Sequence, residues 1–552
     1  MSFYEESSIV ITPNAYKAGT LYAVVPTSGL ADMDVTRATA ATRVDESGLV
    51  NYAEVIEDSI LTGNNSTFDT GIGSWVTYNG GTLAHSTDKL EVTLTSGESG
   101  ARINTDSLIS GGQSGKTFKV RAKIWKGTST NSTIAIFIGG AQKFITISST
   151  PTYFEAELTA ANTSMLTIYR AAGAGGVGTY FIDDVTVKQV DRDNVPRIDY
   201  TGGGCPHILS EPQRTNLITY SEEISQYSKT SGVTVIDNST TSPDGATNAS
   251  KVTKSGQSAN DRVYINNLVI LDATDYSISA FIKNSDVVSG GVSTISARNN
   301  GGILFRQGYE WDGSDLSITS SFGGGTRTNV LLEDFGNGWW KIGFSFTSDS
   351  TSADIECDVD RENGTDTTAI FLWGAQLEEG SYPTSYIPTS GASVTRNQDQ
   401  FTRDGISSLI NSTEGVLFVE MAALADDGTN RYLSINDGTI NNYVYFRFMT
   451  TSNRVLMRTV VSGVTINTLQ ITISDTTAFN KYAIKWKSGD YAFWINGVEE
   501  LVDPSATVFS ADVLNRIDFS FPTGDNFPAK IKQLQVYPSA LSDAELTTLT
   551  TP

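Results

Sequence analysis

The chain has 552 residues, of which 18% are charged, and its formal net charge is −23. An acidic surplus of that size repels a phosphate backbone, and no Lys/Arg-rich stretch offers a local exception, so nucleic acid is excluded as a partner. No run approaches the roughly 18 apolar residues of a membrane helix, so no membrane insertion is expected. The length points to several cores rather than one. Abundant Gly, Ser, Thr and Asn with 10% aromatics favour short strands and many turns, so the expected class is all-β, with serial β-sandwich (jelly-roll) domains and few short helices. Two distant cysteines, Cys205 and Cys357, form neither a disulfide framework nor a metal-ligand spacing.

From the N-terminus, MSFYEESSIVITPNAYKAG has no basic region followed by an apolar core, so a chain made in the cytosol without an export signal is expected. The first clear strand is Phe118 to Ile124, where strict alternation puts Phe118, Val120, Ala122 and Ile124 on a buried face and Trp125 on the polar one. The segment from Tyr276 repeats the scheme, with Tyr276, Ile278, Ala280 and Ile282 inward and Phe281 in the place of Trp125. TYFEAELTAANTSMLTIY from Thr152 likewise matches GWWKIGFSFTSDSTSADIECDV from Gly338. Each is followed by an aromatic-led closing strand, FIDDVTVKQ from Phe181 and FLWGAQLEE from Phe371. The spacing predicts a duplicated sandwich, 57–190 and 214–393, joined by a Pro- and Gly-bearing connector. A similar junction, SYPTSYIPTSGASVTRNQDQF, leads into a last unit, 394–552. There Asn496-Gly497 predicts a hairpin within 481–501, and Ser542-Asp543-Ala544-Glu545 fits a capping box opening a short helix. Alternation places Trp340, Trp373 and Trp486 inward.

These segments resemble known families. NNSTFDTGIGSW from Asn64, with the closing FIDDVTVKQ, resembles jelly-roll carbohydrate-binding modules. WKSGDYAFWINGVE from Trp486 and IKQLQVYPSALSDAELTTL from Ile531 resemble concanavalin-A-like (laminin-G-like) lectin domains. SFYEESSIVITPNAYKAGTLYAVVPTSG, VTRATAATRVDESGLV, PRIDY, CPHILSEPQRTNLITYSEE and WGAQLEEGSYPTSYIPTSGASVTR, in that order, resemble modular bacteriophage virion proteins of the tail-fibre, head-fibre and decoration type. In that pattern DESGLV runs almost directly into PRIDY. The resemblance therefore implies that 57–190 is inserted into a discontinuous N-terminal virion-attachment unit, 1–56 plus 191–213.

Sugar recognition in water favours flat aromatic faces ringed by Asn, Asp and Gln. Trp125 and Phe281 on predicted outer faces, Trp75 and Tyr78 in the loop-like stretch after the opening strand of the first jelly roll, and Tyr309 and Trp311 beside a turn are the candidates, with core packing as the alternative for each. The jelly-roll resemblance implies a structural calcium ion at Asp69, Asp183 and Asp184, a hard-oxygen set; the second jelly roll has Trp373-Gly374 in place of the acidic pair. No other cofactor is required. The two histidines, His85 and His207, have no Ser-His-Asp arrangement, and no catalytic residue is assigned. The glycine runs at 173–178 and 323–325 lack a following Lys-Ser/Thr and are read as turns. The expectation is a non-enzymatic virion-surface protein that binds host or environmental glycans and other virion proteins, as a homo-oligomer and by resemblance a trimer. A purely architectural role and a polysaccharide depolymerase are the alternatives.

Overall fold

A computed structural model describes residues 3–95, 98–171, 177–255, 261–299, 304–361, 367–504, 507–521 and 527–552. Nearly all regular structure is antiparallel strand. The two α-helices among the described residues are Phe3–Glu6 and Asp543–Thr550. The chain divides into two compact units: Met1–Ala53 with Asp193–Pro552, and Glu54–Arg192. The smaller unit interrupts the larger one in sequence.

The smaller unit is a two-sheet sandwich. One sheet runs in the order Thr152–Thr159, Thr117–Lys126, Gly178–Asp191, Leu90–Leu94, Thr82–His85, with Val55–Ile56 added beside Gly178–Asp191. The other runs Ala141–Thr146, Thr133–Ile138, Leu166–Arg170, Gly100–Ile103, Val76–Tyr78. Period-2 alternation builds the core between them: Phe118, Val120, Ala122 and Ile124 are buried as expected and meet Ile134, Ile136, Leu166 and Ile168 from the facing sheet. Arg192 closes the base of this unit by bridging Glu54 at 2.9 Å and Glu157 at 2.7 Å.

The larger unit contains two further sandwiches. In the first, Asp275–Asn284 lies between Trp339–Thr347 and Thr367–Glu379, just as Thr117–Lys126 lies between Thr152–Thr159 and Gly178–Asp191. The likeness extends to a defect. A β-bulge falls at Asp184-Val185 in one module and at Gly374-Ala375 in the other, with positive φ at Asp184 (+46°) and Gly374 (+64°). In the last sandwich, Asn480–Lys487, Tyr491–Ile495 and Val498–Asp503 form the expected hairpins, and Asn496-Gly497 turns with φ of +48° and +84°. Ser542 and Glu545 form the capping box.

The structure corrects the N-terminal reading. Segments 1–56 and 191–213 do not form a separate unit. Ile9–Ile11 and His207–Ser210 both pair with Ala529–Tyr537, and Met33–Thr36 pairs with Gln400–Arg403, so these strands extend the two sheets of the last sandwich. Ile9, Ile11, Met33, Val35 and Ile208 share one core with Leu417, Phe446 and Trp486. Strands of three or four residues are too short to build a core alone and gain burial only by joining an existing one. Both cysteines are free; Cys357 is buried, which pushes its thiol pKa up to about 12.

Candidate functional site

Four of the six aromatic candidates are core residues. Trp75 is 2% exposed, packs 6.1 Å from Phe68 and donates its indole N–H to the Asn65 carbonyl at 3.0 Å. Tyr309 and Trp311 alternate inward along Leu304–Asp312. The Tyr309 hydroxyl donates to the Gly343 carbonyl at 2.8 Å, and the Trp311 indole donates to the Ser293 hydroxyl at 2.9 Å. Their proximity to a turn in sequence does not expose them, because strand parity decides the face. Phe281 does lie on the outer face of its sheet, but Trp339, Trp373, Tyr386 and Val50 cover that face. Of the three tryptophans read as inward, Trp486 is in a sandwich core and Trp340 is half-buried against one, whereas Trp373 is buried on the outer face of its sheet beside Phe281, because the bulge next to it shifts the strand parity.

Trp125 and Tyr78 remain at the surface, on opposite faces of the Glu54–Arg192 sandwich. Trp125 sits 5.4 Å from Phe181. Cations already occupy the neighbouring rings, with the Arg121 guanidinium 3.4 Å over Tyr153 and the Lys89 ammonium 5.3 Å over Phe181. The acidic residues expected to hold calcium are also engaged by protein groups. Asp183 pairs with Lys123 at 3.4 Å, Asp184 accepts from the Tyr153 hydroxyl at 2.6 Å, and Asp69 accepts from Thr67 at 2.8 Å. Burial raises the Asp183 pKa, and the hydrogen bond to Asp184 raises that of the Tyr153 phenol. Among the described residues no three His, Cys, Asp or Glu side chains group to hold a metal. A lysine ammonium beside the acidic pair and no third carboxylate do not fit a calcium ion.

Tyr78 belongs to a more open arrangement. Across the five-stranded sheet, one outward row reads Tyr78, Gly100, Tyr169, Ala135, Phe144, and the next reads Val76, Arg102, Thr167, Phe137, Gln142. The intervening positions Ala101, Ile103, Ile134, Ile136 and Ile168 face the core, which fixes these two rows outward. Large and small residues alternate along the first row, so the rings stand above the low ground at Gly100 and Ala135. A Cβ at Gly100 would come within 2.3 Å of the Ile168 carbonyl, so glycine permits this close packing and lets Tyr78 and Tyr169 meet edge to face at 5.3 Å. Phe137 lies 6.5 Å from Tyr169, whose hydroxyl donates to the Gln142 side chain at 2.8 Å. Burial raises the Tyr169 phenol pKa, with Glu98 and Tyr78 adding to the shift. Phe144 is 55% exposed and Val76 48%. The face therefore combines exposed aromatic surface with the Arg102 guanidinium and the Gln142 amide, a combination suited to a sugar ring with several hydroxyls. Phe137 is hidden in the sequence because Thr133–Ile138 is a near-continuous apolar run, and Phe144 and Tyr169 lie on the neighbouring strands Ala141–Thr146 and Leu166–Arg170. The signal that could have found them is parity: Phe137 and Tyr169 fall out of phase with the isoleucines around them.

His85 belongs to the smaller unit and His207 to the larger one. His85 is exposed, with Nε2 2.8 Å from the Phe68 carbonyl. His207 is buried, 3.5 Å from Asp199 and edge-on to Phe479, and burial lowers its pKa. The glycine run 323–325 is loop; of the run 173–178, only Val177 and Gly178 fall among the described residues.

No family model and no curated protein matches the chain. Some solved structures resemble parts of it. The CBM40 of a Ruminococcus gnavus IT-sialidase, bound to α2,3-sialyllactose, is 19% identical over 25% of this chain and 83% of that one, with a TM-score of 0.22. The CBM22 tandem of Paenibacillus barcinonensis Xyn10C is 12% identical over 59% of this chain and 98% of that one (TM-score 0.22). Mouse laminin α1 LG4-5 is 10% identical over 52% and 90% (TM-score 0.18).

Proposed function

We propose that the chain is a non-enzymatic, glycan-binding structural protein of a bacteriophage particle, of the tail-fibre, head-fibre or decoration type, displayed on the virion surface as a homotrimer. The virion part of this reading is supported by the five ordered segments that resemble modular phage proteins. The glycan part rests on one observation, the outward row of Tyr78, Tyr169 and Phe144 with Arg102 and Gln142 beside it. A shallow face of this kind binds one sugar chain weakly, and copies repeated on a particle convert weak sites into firm adhesion. Its contact chemistry is stacking on C–H faces together with hydroxyl hydrogen bonding.

The test is binding of the purified chain to an immobilised glycan array, followed by titration of the best glycan. Replacing Tyr169 by alanine is expected to weaken binding about tenfold, equivalent to about 1.4 kcal/mol, while the melting temperature stays within a few degrees. Unchanged affinity in Tyr169→Ala and in Phe144→Ala would rule this face out. A chain that binds no glycan would favour a purely architectural role. Gold-labelled antibody to residues 394–552 should decorate the exterior of intact particles; particles without label would remove the virion assignment.

A further inference from the structure

The open aromatic face of the Glu54–Arg192 sandwich carries a charge that nothing around it neutralises. Its two outward rows, through Tyr169 and through Arg102, contain no Asp, Glu or Lys, and Arg102 is their one charged residue. The chain as a whole has 61 acidic residues against 38 basic ones, so a face without a carboxylate runs against its composition. Arg102 stands opposite Val76 and Thr167 on the flanking strands, and its guanidinium lies 5.9 Å from the centre of the Tyr78 ring.

Two observations set this guanidinium apart from a structural charge. First, it has no partner. Arg121 and Arg192 in the same unit pair with glutamates, whereas no hydrogen bond or ion pair engages Arg102 among the described residues. The side chain is half-buried: its Nε is enclosed, and its outer nitrogens are not. That leaves a planar fork of N–H donors, the geometry that takes a carboxylate through two parallel hydrogen bonds. Second, the ground beside it is open. Phe144 is 55% exposed and Val76 48%, and the Tyr169 hydroxyl uses only the oxygen of the exposed Gln142 amide, so its N–H groups are free for a sugar oxygen. The other charges nearby point elsewhere. Glu98, whose charge reaches Tyr169, precedes Gly100 and so lies across the first row from Arg102, and Lys143 has the opposite parity on its strand and donates to the Glu155 carbonyl at 3.0 Å.

We propose that this face selects its glycan by a carboxylate: Arg102 holds the acid group of a sugar acid, and the sugar rings lie along Tyr78, Tyr169 and Phe144. The proposal rests on the glycan-binding reading of this face and narrows it to acidic glycans. One guanidinium matches one acid group, so the ligand carries an isolated acid among neutral sugars. A chain with an acid at every residue is disfavoured by the net charge of −23. For a single acid group that repulsion is weak, because salt screens charges beyond about 8 Å at physiological ionic strength, and the adjacent guanidinium decides. A uronic acid branch and a terminal sialic acid share this chemistry.

Two matched pairs are the probes, titrated into the full chain by calorimetry: a xylo-oligosaccharide with and without a glucuronic acid branch, and sialyllactose against lactose. In at least one pair the acidic member should bind about tenfold more tightly than its neutral counterpart, and the pair that shows this tells a uronic from a sialic acid. Arg102→Gln should bring that ratio close to one. Arg102→Lys should restore only part of it, since an ammonium keeps the charge but not the fork. Arg121→Gln, on the opposite sheet, should keep it. Equal affinities within both pairs, or a preference that survives Arg102→Gln in a variant that melts like the parent, would overturn the proposal and leave the glycan-binding face standing. No binding to any of the four probes would overturn it as well, and the glycan array then decides on the face itself.

Discussion

Replacing Arg197 by methionine is expected to destabilise the larger unit by about 3–5 kcal/mol, as large an effect as any single substitution proposed for this chain. Arg197 is fully buried among charges. Its guanidinium pairs with Glu211 at 2.5 Å and with Asp399, and it donates to the Ser385 hydroxyl at 2.8 Å. Arg37 also reaches Asp399, at 2.7 Å, and Arg396 reaches Glu211 at 2.8 Å. The five charges come from the N-terminal segment, the connector and the junction before the last sandwich, and all are essentially shielded from water. Methionine fills most of the volume but leaves Glu211 and Asp399 each with one arginine instead of two. Calorimetry should show the transition of the larger unit shifted down by several degrees and that of the Glu54–Arg192 sandwich unmoved. A shift under one degree would mean that the cluster contributes no net stability.

The same cluster sets a pH dependence. The neighbouring arginines outweigh burial and hold the Glu211 and Asp399 carboxyls below their ordinary range. A depressed folded-state pKa gives stability that is fully present above the unfolded carboxylate pKa, about 4, and is lost as pH falls below it toward the folded value. Asp358, raised by burial, works in the opposite direction and reduces the net loss. The denaturation midpoint of the larger unit should therefore fall as pH is lowered from 5 to 3, and Arg197→Met should flatten that slope. Equal slopes in parent and variant would exclude the cluster as the source.

Replacing Trp311 by alanine is expected to cost about 3–5 kcal/mol without changing glycan affinity in the protein that remains folded. Trp311 is fully buried in the core of the 214–393 sandwich, so alanine leaves a cavity and removes the indole hydrogen bond to the Ser293 hydroxyl. A variant that melts like the parent but loses glycan binding would place Trp311 in a binding site and contradict its position between the sheets. Tyr309, one strand period away and bonded to the Gly343 carbonyl, should behave in the same way.

Local chemistry in the sequence determined the all-β class, the inward faces of Phe118 to Ile124 and Tyr276 to Ile282, the Asn496-Gly497 turn and the Ser542 capping box. Each depends on residues within a few positions of one another, through the two-residue period of a strand or the preferred φ of a turn. Parity also assigned Trp125 and Phe281 to outer faces, and both are there. Whether an outer face meets water or another layer depends on residues far away in the chain. Trp125 stays at the surface, whereas Val50 and Tyr386 bury Phe281 from positions more than a hundred residues away on either side. The N-terminal strands had the same ambiguity, since nothing within Ile9–Ile11 specifies that its partner is Leu534 to Val536. The outward rows through Tyr169 and Arg102 likewise exist only because separate strands bring their residues into register. The tertiary structure therefore decided which aromatic surfaces remain open, because burial depends on long-range packing that no local pattern encodes.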